Sequence, residues 1–197
     1  LHPPQRVAAA HAGRAQPQQV TRMRGLGRCL APLVLLATPA AGQEFDPASV
    51  DLAGLIECKA SVSAYNNFAF WISDGPVALE KLGWKEATSG NLFLKQYDLP
   101  EPVRTFGRET SSIVFTATGP MAVLDGVSAP DLAHELEIVP TVSTAEKFLG
   151  EKIVVESTED ANGMKIETRI ALNVSTVDSH PGKTLAGCSY ALNVTVN

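Results

Sequence analysis

Cysteine and histidine are scarce in this chain, with three and four copies in 197 residues. That scarcity removes whole classes of chemistry. No C-x-x-C pair occurs, so a dithiol redox centre has no resolving thiol. After residue 42 the histidines are His134 and His180. His134-Glu135 opens like a zinc-protease helix, but position 138 is Ile where the second ligand must stand. One imidazole does not hold a metal alone. No metal site and no cofactor is expected.

Other motifs fail on single residues. No G-x-S-x-G frames a serine nucleophile, and no S-x-x-K pair occurs. Gly182-Lys183-Thr184 ends like a phosphate-binding loop, but position 177 is Val where the first glycine is required. Thr158, Asp160, Asn162 and Gly163 imitate a calcium loop whose two anchoring carboxylates are replaced by Thr158 and Arg169. The 21 acidic residues allow many carboxylate pairs, and nothing singles one out.

Residues 1–42 lack serine and acidic residues altogether, yet carry five arginines. Within them, Arg24 and Arg28 precede the short apolar run Cys29–Ala40, and Ala40-Ala41-Gly42 supplies small residues before Gln43. This is the pattern of a secretory signal peptide over residues 23–42. The run is too short to span a bilayer, and Pro32 and Pro39 interrupt it. Residues 1–22 show no apolar periodicity and are expected to be an upstream extension. The absence of serine argues against an organellar transit peptide. Cleavage would leave residues 43–197 as a single α+β domain, periplasmic or secreted, with no integral membrane segment.

That domain is acidic. Five of the 16 basic residues lie in the leader, so 11 remain against 21 acidic ones, a net charge of −10. Such a surface repels phosphate backbones, and nucleic acid is not an expected partner.

Two cysteines remain, Cys58 and Cys188. In an oxidising compartment they are expected to bridge. Leu55, Cys58, Val62 and Tyr65 share one face at helical spacing, and Ala186, Cys188, Tyr190, Leu192 and Val194 alternate on one face of a strand. The bridge would tie an N-terminal helix to a C-terminal strand.

The apolar spacing predicts a helix from Val50 to about Asn66, followed by a second between Asp74 or Gly75 and Gly83. Strands are predicted over Asn91–Tyr97, Val103–Phe106, Ser112–Thr118 and Met121–Leu124, with a break at Pro100 and Pro102. Ser128 opens a helix through Leu136, and Ser143 or Thr144 opens another that stops at Gly150. Lys152–Ser157, Met164–Val174 and Leu185–Val196 are the last strands, with a type II turn at His180-Pro181-Gly182-Lys183. Strands in runs and helices in blocks imply an α+β fold. It would be an antiparallel sheet packed against the N-terminal helix and a few short helices.

Candidate functional residues are few. Asp178 near His180 resembles a base with its orienting carboxylate. The aromatic group Tyr65, Phe68, Phe70, Trp71 and Trp84 is a candidate lining for an apolar pocket. The leading expectation is a non-catalytic binding or accessory protein, holding an apolar small molecule or an envelope protein on an exposed strand edge. The alternative is a hydrolase acting on a cell-envelope substrate. Asn173-Val174-Ser175 and Asn193-Val194-Thr195 match the glycosylation pattern on predicted polar strand faces.

Overall fold

In the computed structural model, residues 45–196 are described. The expected leader and upstream extension, with Cys29, lie outside them. Caps set the first helices. The Asp51 carboxylate accepts from the Gly54 N–H at 2.9 Å and starts α1 (Leu52–Ile56). The chain then leaves the helix, with Cys58 in the left-handed region at φ 60°. Ser61 Oγ accepts from the Ala64 N–H and starts α2 (Val62–Ile72).

The one helix predicted over 50–66 is thus two. Serine is a better cap than an interior helix residue, because its side chain competes for backbone donors. Leu55, Cys58, Val62 and Tyr65 still all turn inward and are buried. α3 (Pro76–Leu82) keeps the predicted punctuation, with Gly75 as cap, Pro76 in the first turn and Gly83 left-handed at its end. α4 (Ala129–Glu135) begins at Ser128 as predicted.

The strands are β1 (Lys85–Ala87), β2 (Lys95–Thr105), β3 (Arg108–Phe115), β4 (Pro120–Asp125), β5 (Val139–Ser143), β6 (Phe148–Ala161), β7 (Met164–Ser175) and β8 (Lys183–Val196). They form one antiparallel sheet in the order β1-β2-β3-β4-β8-β7-β6-β5. Two meanders, β1–β4 and β5–β8, therefore meet only where β4 pairs with β8. The link through α4 carries the chain from that junction to the far edge. The fold is α+β, as the sequence pattern implies.

Three local expectations are corrected. β2 runs through Pro100 and Pro102, where a break was predicted. Its register shifts between Asp98 and Val103, so the prolines sit where no ladder bond is lost. Asn91–Leu94 is a turn instead of the start of that strand. The Asn91 side chain accepts from the Phe93 N–H at 2.9 Å, and Ser89 Oγ lies 2.7 Å from the Asn91 carbonyl. The helix predicted from Ser143 to Gly150 is a hairpin between β5 and β6. The Thr144 hydroxyl accepts from the Lys147 N–H at 3.0 Å and closes the reversal.

The helices cover one face of the sheet. Ile56, Phe68 and Leu132 pack there against Ile113, Phe115, Leu124, Val174 and Cys188. Cys58 and Cys188 form a disulfide with Cα atoms 5.1 Å apart. Cys58 belongs to the link between α1 and α2, so the bridge ties that link, and not a helix, to β8. Beside it the Tyr190 hydroxyl donates to the Leu55 carbonyl at 2.7 Å, and the ring stacks on Tyr65 at 4.7 Å. Burial pushes the Tyr190 phenol up to about 12, so it remains a donor at any physiological pH. On the other face, Val114, Met121, Val123 and Leu185 make a smaller cluster.

Candidate functional site

β6, β7 and β8 are longer than the helix layer above them. Their ends form a three-stranded arm, closed by a turn in which Asn162 and Gly163 have φ of 53° and 76°. Both central residues at positive φ suit the right-handed twist of a tight hairpin.

One face of the arm continues the core face outward. Val194 lies opposite Ile166, Val196 opposite Met164, and Tyr190 opposite Ile170, which itself faces Val155. Among the described residues no helix covers this row. Leu192, Val194 and Val196 are 47, 52 and 83 % exposed. The inward-facing stripe predicted through Leu192 and Val194 therefore holds only to Tyr190. Fully burying a Val or Leu side chain is worth about 1.5–3 kcal/mol, so this surface gains from being covered. The opposite face is polar. Arg169 pairs with Glu151, and Lys165 with Glu167 at 2.5 Å. Asn193 is exposed there, while Asn173 is half-buried and donates to Ser189 Oγ at 3.1 Å.

Among the described residues, nothing pairs with either edge of the arm. β5 pairs with β6 only from Phe148 to Glu151, and β4 pairs with β8 only from Lys183 to Gly187. The two edges differ in charge. The free part of β6 carries Glu156, Glu159 and Asp160, which discourage a further strand. Leu192-Asn193-Val194-Thr195-Val196 of β8 carries no charge.

The direction of the β8 backbone groups follows from one bond. The Tyr190 N–H donates to the Thr118 carbonyl at 2.8 Å, on the β4 side. Backbone groups alternate along a strand. Leu192, Val194 and Val196 therefore present their N–H and C=O to the open edge, and Ala191, Asn193 and Thr195 bond to β7. An unpaired, uncharged, β-branched edge is a template for strand addition.

The residues singled out in the sequence lie elsewhere. His180 is 7 % exposed, at the predicted turn, where the Lys183 N–H donates to its carbonyl at 3.1 Å. Its Nδ1 lies 2.9 Å from Ser179 Oγ, and its Nε2 lies 3.1 Å from Gln96 Oε1. Burial, with Lys183 nearby, holds the imidazole below its usual pKa and therefore neutral. Asp178 is exposed and lines the same cleft as His180, but it makes no hydrogen bond to the ring.

The aromatic candidates mostly fill one another's contacts. Phe68 meets Trp71 at 6.3 Å, Trp84 at 6.0 Å and Phe115 at 6.1 Å, and Trp84 meets Tyr97 at 5.8 Å. Tyr65 is taken by Tyr190. Phe70 is apart from them, 84 % exposed, because helical periodicity sets it on the outer side of α2. A cleft of about 360 Å³ opens between the 45–51 segment, α1 and α2, lined by Phe45, Val50, Leu55 and Ala64 among others. None of the five aromatic candidates lines it.

Among the described residues no group of histidine, cysteine or acidic side chains is placed to hold a metal. No helix among them is long and apolar enough to cross a membrane. No protein-family model matches the chain, and neither a curated protein nor a solved structure matches it.

Proposed function

We propose that this chain is an exported, non-catalytic accessory protein of the periplasm or the secreted space. It takes an extended segment of an envelope protein onto the free edge of β8. The observation that carries this reading is the Leu192–Val196 edge, uncharged and open, beside an uncovered apolar row. Strand addition gives affinity through backbone bonds and selectivity through alternate side chains. Leu192, Val194 and Val196 supply both. The Cys58–Cys188 bridge supports an oxidising compartment, which agrees with the leader pattern.

Val194→Pro tests the edge directly. Its N–H points outward, so proline deletes a docking donor and leaves the β7 ladder intact. The variant is expected to keep the parent melting temperature within a few degrees and to lose at least about tenfold in affinity for the envelope fraction, one lost bond plus a steric block. Undiminished binding by a folded Val194→Pro protein would contradict the reading.

A further inference from the structure

We propose that, when no partner strand occupies it, the free edge of β8 pairs antiparallel with the same edge of a second copy, about a two-fold axis through Val194. The inference rests on the reading of that edge as the binding element. It adds the identity of one occupant and the register in which it sits.

The register follows from the open backbone groups. Pairing cannot extend past Leu192 towards the core, because the Thr118 carbonyl already takes the Tyr190 N–H. Among the described residues the outward-facing set is Leu192, Val194 and Val196, and the centre of that set is Val194. An antiparallel pair exchanges two backbone bonds wherever outward-facing residues stand opposite each other. Centring on Val194 sets Val194 opposite its own copy and Leu192 opposite Val196. Every open donor and acceptor of the segment is then matched. A shift by one residue would oppose outward groups to inward ones and match none.

Charge favours this edge over the other edge of the arm. The chain from residue 43 carries −10, so two copies repel overall. A β6–β6 contact would gather Glu156, Glu159 and Asp160 of both copies in one strand pair, and like charges close together there are destabilising. The β8 segment has none to oppose. A two-fold axis perpendicular to the sheet also keeps the apolar faces on one side. Leu192, Val194 and Val196 of each copy then continue the row begun by Ile166 and Met164. The contact is smaller than the ~1,600 Å² of a standard interface, so it belongs to the weak, reversible class. Added salt strengthens it by screening the net repulsion.

A charge-swap experiment on the purified exported protein tests the register. Sedimentation is recorded across a concentration series for the parent, Val194→Lys and Val194→Glu. The parent is expected to move towards twice its monomer mass as concentration rises. Each variant alone is expected to need at least about tenfold more protein, because like charges face each other across the axis. An equimolar mixture of the two variants is expected to recover the dimer, which a folding defect would not do. A parent that stays monomeric throughout overturns the proposal, as does a mixture that fails to recover. If that monomer still binds the envelope fraction through Val194, the strand-addition reading stands and only the second copy is lost. If Val194→Pro also leaves that binding unchanged, both fail.

Discussion

Replacing Cys58 and Cys188 together by alanine is expected to lower the unfolding free energy by about 4–5 kcal/mol. The bridge closes a sequence separation of 130 residues, and the unfolded chain regains that freedom when it is removed. The bridge also ties the link between α1 and α2 to β8, beside the packing of Ile56 and Phe68 on the sheet. α1 is a five-residue helix held to β8 by the Tyr190–Leu55 bond, and α2 is held to the same strand by Tyr65 stacking on the Tyr190 ring. At roughly 2–4 °C per kcal/mol for a chain of this size, the melting temperature falls by about 10–20 °C. Denaturant titration of the double variant, and of the parent under reductant, checks this. The two curves should coincide. A loss below about 1 kcal/mol would mean that the unfolded chain was already compact or that the bridge is not formed.

Gly187→Val is expected to be the most damaging single substitution in the sheet. Gly187 lies opposite Met121 in the β4–β8 pairing that joins the two meanders. A Cβ at Gly187 would collide with the Pro120 carbonyl oxygen and the Met121 Cα. Those are backbone atoms, so relief requires the strands themselves to separate. Overpacking of this kind costs about 3 kcal/mol or more. A control separates collision from backbone strain. Gly126 has φ 63° with open space where a Cβ would stand, so Gly126→Ala should cost only about 1–2 kcal/mol. Chemical denaturation of the two variants, with equal losses in both, would contradict the steric account.

Much of the fold is legible in residue patterns, and the failures share a cause. Gly75-Pro76, Gly83, Ser128 and the His180–Lys183 turn are local signals, and each stands where the pattern puts it. The errors arise where one local signal competes with another. Apolar spacing across 50–66 is helical throughout, yet Ser61 captures the backbone and restarts the helix. Thr144 to Gly150 has helical composition, but Thr144 closes a turn, and a methyl of Ile138 stands 2.7 Å from where a Cβ on Gly150 would lie. Pro100 and Pro102 signal a break, and a register shift absorbs them.

The candidate site was less legible. Alternation in Ala186–Val194 identifies a buried face without showing where burial stops. That depends on how far the helices reach over the sheet, which no local window records. Strand length is the signal that was present. Met164–Val174 alternates well beyond what the short helices can cover. Asp178 and His180 form a candidate pair by residue type and proximity, but the fold gives the imidazole to Ser179 and Gln96.

The most direct measurement is amide hydrogen exchange, residue by residue, along β8 in dilute protein and again with the envelope fraction added. The account predicts alternation in the free protein. Asn193 and Thr195 exchange slowly because they bond to β7, and Leu192, Val194 and Val196 exchange fast. With the partner present, the fast set alone becomes slow. Uniform protection across Leu192–Val196 in dilute protein, or fast exchange at Val194 that the envelope fraction leaves unchanged, would contradict the claim that this edge is the binding surface.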